Sequence, residues 1–310
     1  LLMLPASGIA QYYFIGQDPA SVKWSQIETD NFVLIFPENY NEKAKEYLNL
    51  LEFSRPSVAQ TYLEKTKKFK VVLHNRTTTS NAMVSPTPMH ADFFEMPDQN
   101  TYAQLWSRQL TLHEYRHAIH IQKMKQGMTK GLYYVFGEQA QAAIIGLFIP
   151  FWFIEGDAVY SETLYSRSGR GRSPVFIMDL KAQIMDKKIY SYDKALYGSF
   201  KHYTPDYYTL GYQLVLKAYN DYGENIWNDA LNKVARRPYT LMPFSSSIKK
   251  YFGNGKVGFY KNTLEELQSE YEKKAYLIKP ENNFVDQPEH KHFTSYHFPV
   301  KVNDGNIIAL

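Results

Sequence analysis

The 310-residue sequence predicts an α+β fold, with a small N-terminal mixed sheet and a mainly helical C-terminal part. Three observations lead there. Short apolar runs at 31–37 and 69–74 flank a stretch with helical spacing, giving a strand, a helix and a strand. Beyond about residue 101, apolar residues recur at helical intervals in several segments. The chain is also long enough to bury a sizeable core, and its 16% aromatic content excludes a disordered protein.

In chain order, Leu1 to Ala10 is apolar and then small, with a break expected between Ala10 and Gln11. It reads as the tail of a signal peptide and predicts an exported protein: periplasmic, outer-membrane-associated or extracellular. Residues 11–100 form the α/β part. Trp24 and Ile27 anchor its start, the run 31–37 is a strand, and 38–65 is helical with an interruption at Pro56. Residues 69–74 form the next strand. Residues 77–97 are rich in Thr, Ser, Pro and Met.

Residues 101–278 form the helical part, whose first helix is expected over about 102–125. The nearly unbroken apolar run at 142–153 is too short to span a bilayer. It predicts a buried hairpin, or else a surface that meets a membrane or a protein. Arg167 to Ser173 is a basic, glycine-containing loop, which is either solvated or offers an arginine to a substrate carboxylate. Further helices are expected over 208–219, 226–234 and 264–276. Residues 279–310 are a polar linker with Glu289-His290-Lys291-His292, then strand, Asn303-Asp304-Gly305 turn and strand. That last pattern predicts a β-rich continuation.

The chemistry concentrates at His113-Glu114-Tyr115-Arg116-His117. On a helix, positions i and i+4 share a face, so the two imidazoles can hold one metal ion. Glu114 stands beside the first of them, placed to act on a water rather than to bind the ion. Downstream, Glu155 lies in an apolar helical setting where a lone carboxylate is costly unless it is paired or bound to a metal. Two histidines and one carboxylate make a zinc set with an open fourth position.

Pro150, Trp152, Glu155, Gly156, Ala158 and Tyr160, together with the His-Glu-x-x-His motif, resemble the gluzincin zinc metallopeptidases, closest to the bacterial peptidase-MA-like group. The likeness spans roughly residues 24–275. It implies a zincin-like fold, one Zn2+ held by His113, His117 and Glu155, and a peptide or protein substrate cleaved with Glu114 as general base. It also implies that the strand before the zinc helix, Ala91 to Met96, is a sheet edge along the cleft, where free backbone groups pair with an extended peptide and Asn81, Ala91, Phe93 and Phe94 are the candidate groove residues; the alternative is an ordinary sheet strand. The 38-residue step from His117 to Glu155 is longer than in better-known members, which implies an insertion. Tyr208-Thr209-Leu210-Gly211 resembles the motif whose tyrosine steadies the oxyanion in the aminopeptidase N and leukotriene hydrolase group. Tyr208 is therefore the candidate donor, with Tyr203, Tyr207, Tyr212 and His202 as competitors. Asp157 and Glu162 are the candidates for orienting the ligating imidazoles. Thermolysin-like members carry an aspartate where this chain has Val159, so that subgroup fits poorly. The aminopeptidase segment that binds a free amine through a glutamate corresponds here to Ser80 to Val84, with no glutamate. An endopeptidase is thus favoured over an aminopeptidase. The terminal strand-turn-strand resembles the opening of a TolB-like propeller blade.

Other classes recede. There is no cysteine, so disulfides, thiol nucleophiles and cysteine-held zinc are excluded. Net charge is only +4, with no basic helix or stacking module, which argues against nucleic acid. No apolar run reaches the length of a transmembrane helix. Two alternatives stay open: a zinc hydrolase acting on another amide or an ester, and a non-catalytic exported binding or scaffold protein.

Overall fold

Why the sheet forms is visible in its alternation. In the computed structural model, which describes residues 18–78, 80–96, 103–186, 189–275, 300–303 and 306–308, strand β1 (Trp24–Glu28) pairs antiparallel with β2 (Phe32–Pro37). Helix α1 (Asn41–Ala59) then crosses to β3 (Phe69–His74), which runs parallel to β2. Strands β4 (Asn81–Pro86) and β5 (Met89–Phe94) form a hairpin, and β5 runs parallel to β3. The order is β1-β2-β3-β5-β4, a mixed five-stranded sheet. Phe32, Leu34, Phe36, Phe69, Val71, Leu73, Ala91 and Phe93 are buried, while the residues between them in β2 and β3 are half-buried or exposed. A strand's period of two thus gives the sheet one apolar face. That face meets α1 and helix α2 (Trp106–Lys123): Tyr47 lies against Phe93, and Tyr115 against Phe32 and Phe69.

Helix α1 runs through Pro56 and ends at Ala59, where an interruption was expected. Proline removes one backbone hydrogen bond. The buried face of Ala44, Tyr47, Leu48, Leu51 and Val58 continues across it and holds the turn in place.

The expected edge strand is corrected. β5 is interior, bonded on both sides, and Ala91 and Phe93 are 0% and 1% exposed. Phe94 is also buried, stacked on His74. These three residues are core, not groove. The edge is β4, from a segment that reads as loop because its only strand signal is Ala82-Met83-Val84 between polar and proline residues. Proline ends suit an edge strand, which needs no donor on its open side.

The rest is helical: α3 (Gly127–Phe136), α4 (Glu138–Phe148), α5 (Phe151–Leu164), α6 (Pro174–Asp186), α7 (Tyr192–Tyr197), α8 (Tyr207–Tyr222), α9 (Asn225–Arg236), α10 (Pro243–Phe252) and α11 (Lys256–Ala275). The fold is therefore α+β, a small mixed sheet with a mostly helical C-terminal part. One apolar cluster runs from Phe32 to Leu264 and joins the two parts. Its helical half is aromatic: Trp152, Phe153, Trp227, Phe244 and Phe259 pack with ring centroids 4.9 to 6.5 Å apart. The Trp152 indole donates to the Tyr192 hydroxyl at 2.7 Å, so its N–H is not stranded in the core.

The apolar run 142–153 is not a buried hairpin. It is the end of α4 and the start of α5, bent by 100°, with Leu147 and Phe151 exposed. Pro150 and the extended Ile149 break the two helices apart. No single helix among the described residues is long and apolar enough to cross a membrane. Strands β6 (Val300–Asn303) and β7 (Asn306–Ile308) pair antiparallel with each other. The signal-peptide reading at 1–10, the histidines at 290 and 292, and Asp304 and Gly305 of the turn lie outside the described residues.

Candidate metal centre

Helix α2 carries the two histidines on the side that faces α5. Their rings are 4.8 Å apart and nearly perpendicular. Both ε nitrogens converge on one carboxylate oxygen: Glu155 Oε2 lies 3.2 Å from His113 Nε2 and 3.4 Å from His117 Nε2. One ligand atom from each residue falls within 4.8 Å of the others, so the group could hold a metal ion. The donor chemistry fits. Two imidazoles and a carboxylate are ligands that zinc accepts, though other divalent transition metals accept them too.

Two glycines bring Glu155 into place. A Cβ on Gly156 of α5 would lie 2.2 Å from the carbonyl carbon of Gly211. A Cβ on Gly211 of α8 would lie 1.9 Å from the Trp152 carbonyl oxygen. The two helices touch backbone to backbone there. Glu155 precedes one glycine by one position, and Tyr208 precedes the other by three, so the crossing sets the carboxylate and the phenol on one cleft.

Tyr208 opens α8, whose N-terminus is capped by the Asp206 carboxylate accepting from the Thr209 N–H at 3.0 Å. Its ring stacks on His113, centroids 6.2 Å apart. Burial, and then the Glu155 charge, push its hydroxyl well above the ordinary tyrosine range, so it stays a proton donor. Its competitors are placed elsewhere. Tyr203 bonds Asp179, Tyr212 packs on Gly171, and His202 lies with Lys194 and Tyr190. Tyr207 stacks on Tyr208 but does not line the cleft.

Of the two residues expected to orient the imidazoles, one does so. Glu162 Oε2 lies 3.1 Å from His113 Nδ1, which Arg170 Nη2 also approaches at 2.8 Å, so the two together hold the ring in place. Asp157 does not reach either ligand and is corrected. It accepts from Arg116 Nε at 2.6 Å, His120 Nε2 at 2.7 Å and the Tyr219 hydroxyl at 3.1 Å, all buried. Its position two residues after Glu155 turns it away from the ligands, toward α1 and the far side of α2, where Arg116 also donates to the Val58 carbonyl at 2.6 Å. His117 Nδ1 is buried with no hydrogen-bond partner among the described residues.

Burial would push the His113 imidazole down, but Glu155 and Glu162 lift it to about 9. Burial would raise Glu155, yet the two imidazoles hold it far below the usual carboxylate range. Burial pushes the Glu114 carboxyl up, against the pull of His113 and His117. His120 is driven by burial down to about 4 and is neutral.

The basic loop proves to be structural. Arg170 donates to Glu162 Oε1 through Nε at 2.7 Å and through its backbone N–H at 3.1 Å. Gly169 and Gly171 make this possible, because a Cβ on either would strike Thr163 or Tyr212. Arg172 donates to the Thr163 carbonyl. Sequence reasoning treated Arg170 as solvent or substrate contact; the arginine between two glycines was the signal for a tightly packed support.

No known family model matches the chain, and no curated protein proves similar to it.

A cleft of about 440 Å³ opens over the three ligands. β4 lines it with Asn81, Ala82, Met83 and Val84, and α4 and α5 with Ile145, Gly146, Phe151 and Ile154. Glu114 and Tyr208 line it too. Asn81 is the one expected groove residue that reaches it.

Proposed function

We propose that this chain is a zinc-dependent endopeptidase of the gluzincin type. The observation that carries the reading is the meeting of His113, His117 and Glu155 in one cleft with Glu114 and Tyr208, beside an open strand edge. His113, His117 and Glu155 would hold the ion. Bound there, zinc would act as a Lewis acid on a peptide carbonyl and make water a stronger acid.

The chain's own groups supply the rest. Glu114 takes a proton from the attacking water and returns it to the leaving nitrogen. The Tyr208 hydroxyl donates to the carbonyl oxygen as negative charge gathers there. The free backbone groups of β4 align an extended substrate by adding it to the sheet. Among the described residues that line the cleft only Glu114 and Glu155 are acidic, and both are already assigned. No carboxylate among them is left to bind a substrate's amine, which favours cleavage inside a chain.

Digestion of casein and of a blocked-peptide library tests this, with metal content measured alongside. The wild type is expected to release internal fragments, and Glu114→Gln to keep its metal while losing about 10²- to 10⁴-fold in rate. Equal metal with no turnover by either protein would favour a non-catalytic scaffold. Ester or non-peptide amide turnover alone would keep the site and change the substrate.

A further inference from the structure

A second surface of the helical part has the composition of a membrane-docking face. Between Gly127 and Ile154 only Lys130 and Glu138 carry charge. Yet α3 buries only Thr129, and Tyr134, Val135, Phe136, Leu147 and Phe151 are between 62% and 74% exposed. An apolar helical hairpin left in water at this level marks an interaction surface.

Cations stand beside it. A second cavity, of about 430 Å³, lies between the half-exposed face of the sheet and the start of the hairpin. Lys67, Lys70 and Lys125 line it, and no carboxylate pairs with any of the three among the described residues. Gln122 fixes the loop there by accepting the Lys67 N–H at 2.8 Å and donating to the Lys67 carbonyl at 3.2 Å. Lys125 sits 3.1 Å above the Tyr133 ring, and Tyr133 touches Tyr134, so the cations and the exposed aromatics are contiguous. Burial, followed by Lys125, pushes the Lys67 amine below its usual value. Glu28 pairs with Lys68, and Glu138, which also lines the cavity, accepts the Met89 N–H at 2.9 Å and keeps its charge, so Lys67, Lys70 and Lys125 stand against one carboxylate among the described lining residues.

We infer that the α3–α4 hairpin, with the lysine group at Lys67, Lys70, Lys125 and Lys130, docks on the surface of an anionic phospholipid bilayer. Exposed apolar side chains with a rim of excess cations are how a helix settles into a lipid interface. A protein partner would need a matching acidic and apolar surface, whereas a bilayer offers both in sequence with depth. Because α4 also walls the metal cleft, docking holds that cleft at the lipid surface. The binding itself does not rest on any hydrolytic activity.

Vesicle flotation tests it, with vesicles of phosphatidylcholine alone and of equimolar phosphatidylcholine and phosphatidylglycerol. The wild type is expected to float with the anionic vesicles and far less with the neutral ones. Tyr134→Ser/Phe136→Ser/Leu147→Ser should lose binding with its circular dichroism unchanged, since all three side chains are exposed. Lys67→Gln/Lys125→Gln should weaken binding by roughly 25-fold, each lysine near an anionic surface contributing about fivefold. Phe136→Trp should shift its emission to the blue on anionic vesicles only. Absence of flotation with either vesicle, or binding untouched by both sets of substitutions, would overturn the proposal. So would a wild-type dimer that the triple variant converts to monomer, because the face would then belong to a second copy.

Discussion

Glu162 and Tyr208 touch the same imidazole from opposite roles, and substitution separates them. Glu162→Gln weakens the hold on His113 Nδ1, so metal affinity should fall about 10- to 100-fold by competitive chelator titration. Tyr208→Phe leaves the ligands alone, so metal affinity should stay while kcat drops about 10²- to 10³-fold. If both variants lost metal equally, Tyr208 would be a packing residue. At this scale the sequence was informative for a physical reason. Ligand pairs on one helix turn need only the i, i+4 rule, and a lone buried glutamate marks itself by its apolar neighbours. Asp157 was misread because nothing in its own segment says that Arg116 and His120, on the far side of α2, would claim it. Arg170 was missed for the same reason: its partner Glu162 is eight positions back, across a turn whose glycines only make sense once packed.

Elements repeat that lesson. β3 and most of α2 and α8 were legible, because each shows one clear period. β4 and α3 were not: β4 is half-buried with prolines at its end, and α3 is exposed on nearly every side, so neither displays a buried stripe. The α5–α8 crossing was likewise hidden, although both glycines that make it possible sit inside recognised motifs. Gly211→Ala should force these helices apart, because its Cβ meets backbone and not a side chain that can swing away. The expected cost is about 1 to 3 kcal/mol in denaturant unfolding, together with weaker metal binding as Glu155 shifts. Full stability with intact metal affinity would show that the crossing does not set the site.

Across the whole molecule there are two charge networks, one buried at Asp157 and one at the half-exposed face of the sheet. In the latter, His74 bonds Asp18 and Asp92, and His90 bonds Asp92 at 3.0 Å. Burial would lower His74, but its hydrogen bonds to Asp92 and Asp18 raise it above 6.5, and the bond to Asp92 raises His90. Asp92 would be raised by burial, yet the two histidines bring it from 3.8 to about 2. A raised histidine stabilises the fold fully below its unfolded value, and that contribution is lost as pH rises through the folded value. A depressed aspartate stabilises above 3.8, and that contribution is lost as pH falls toward 2. The network is therefore strongest between about pH 4 and pH 6.5. The gap in melting temperature between wild type and His74→Gln should narrow as pH climbs from about 6 to about 9. A gap that does not change with pH would mean His74 acts only by packing. The central claim is that two imidazoles and Glu155 grasp one zinc ion. A crystal structure with anomalous data collected on both sides of the zinc edge tests it most directly. The account predicts a single strong peak about 2.0 to 2.2 Å from His113 Nε2, His117 Nε2 and a Glu155 oxygen. Zinc-loaded crystals with no peak there, or a peak that excludes Glu155, would contradict it.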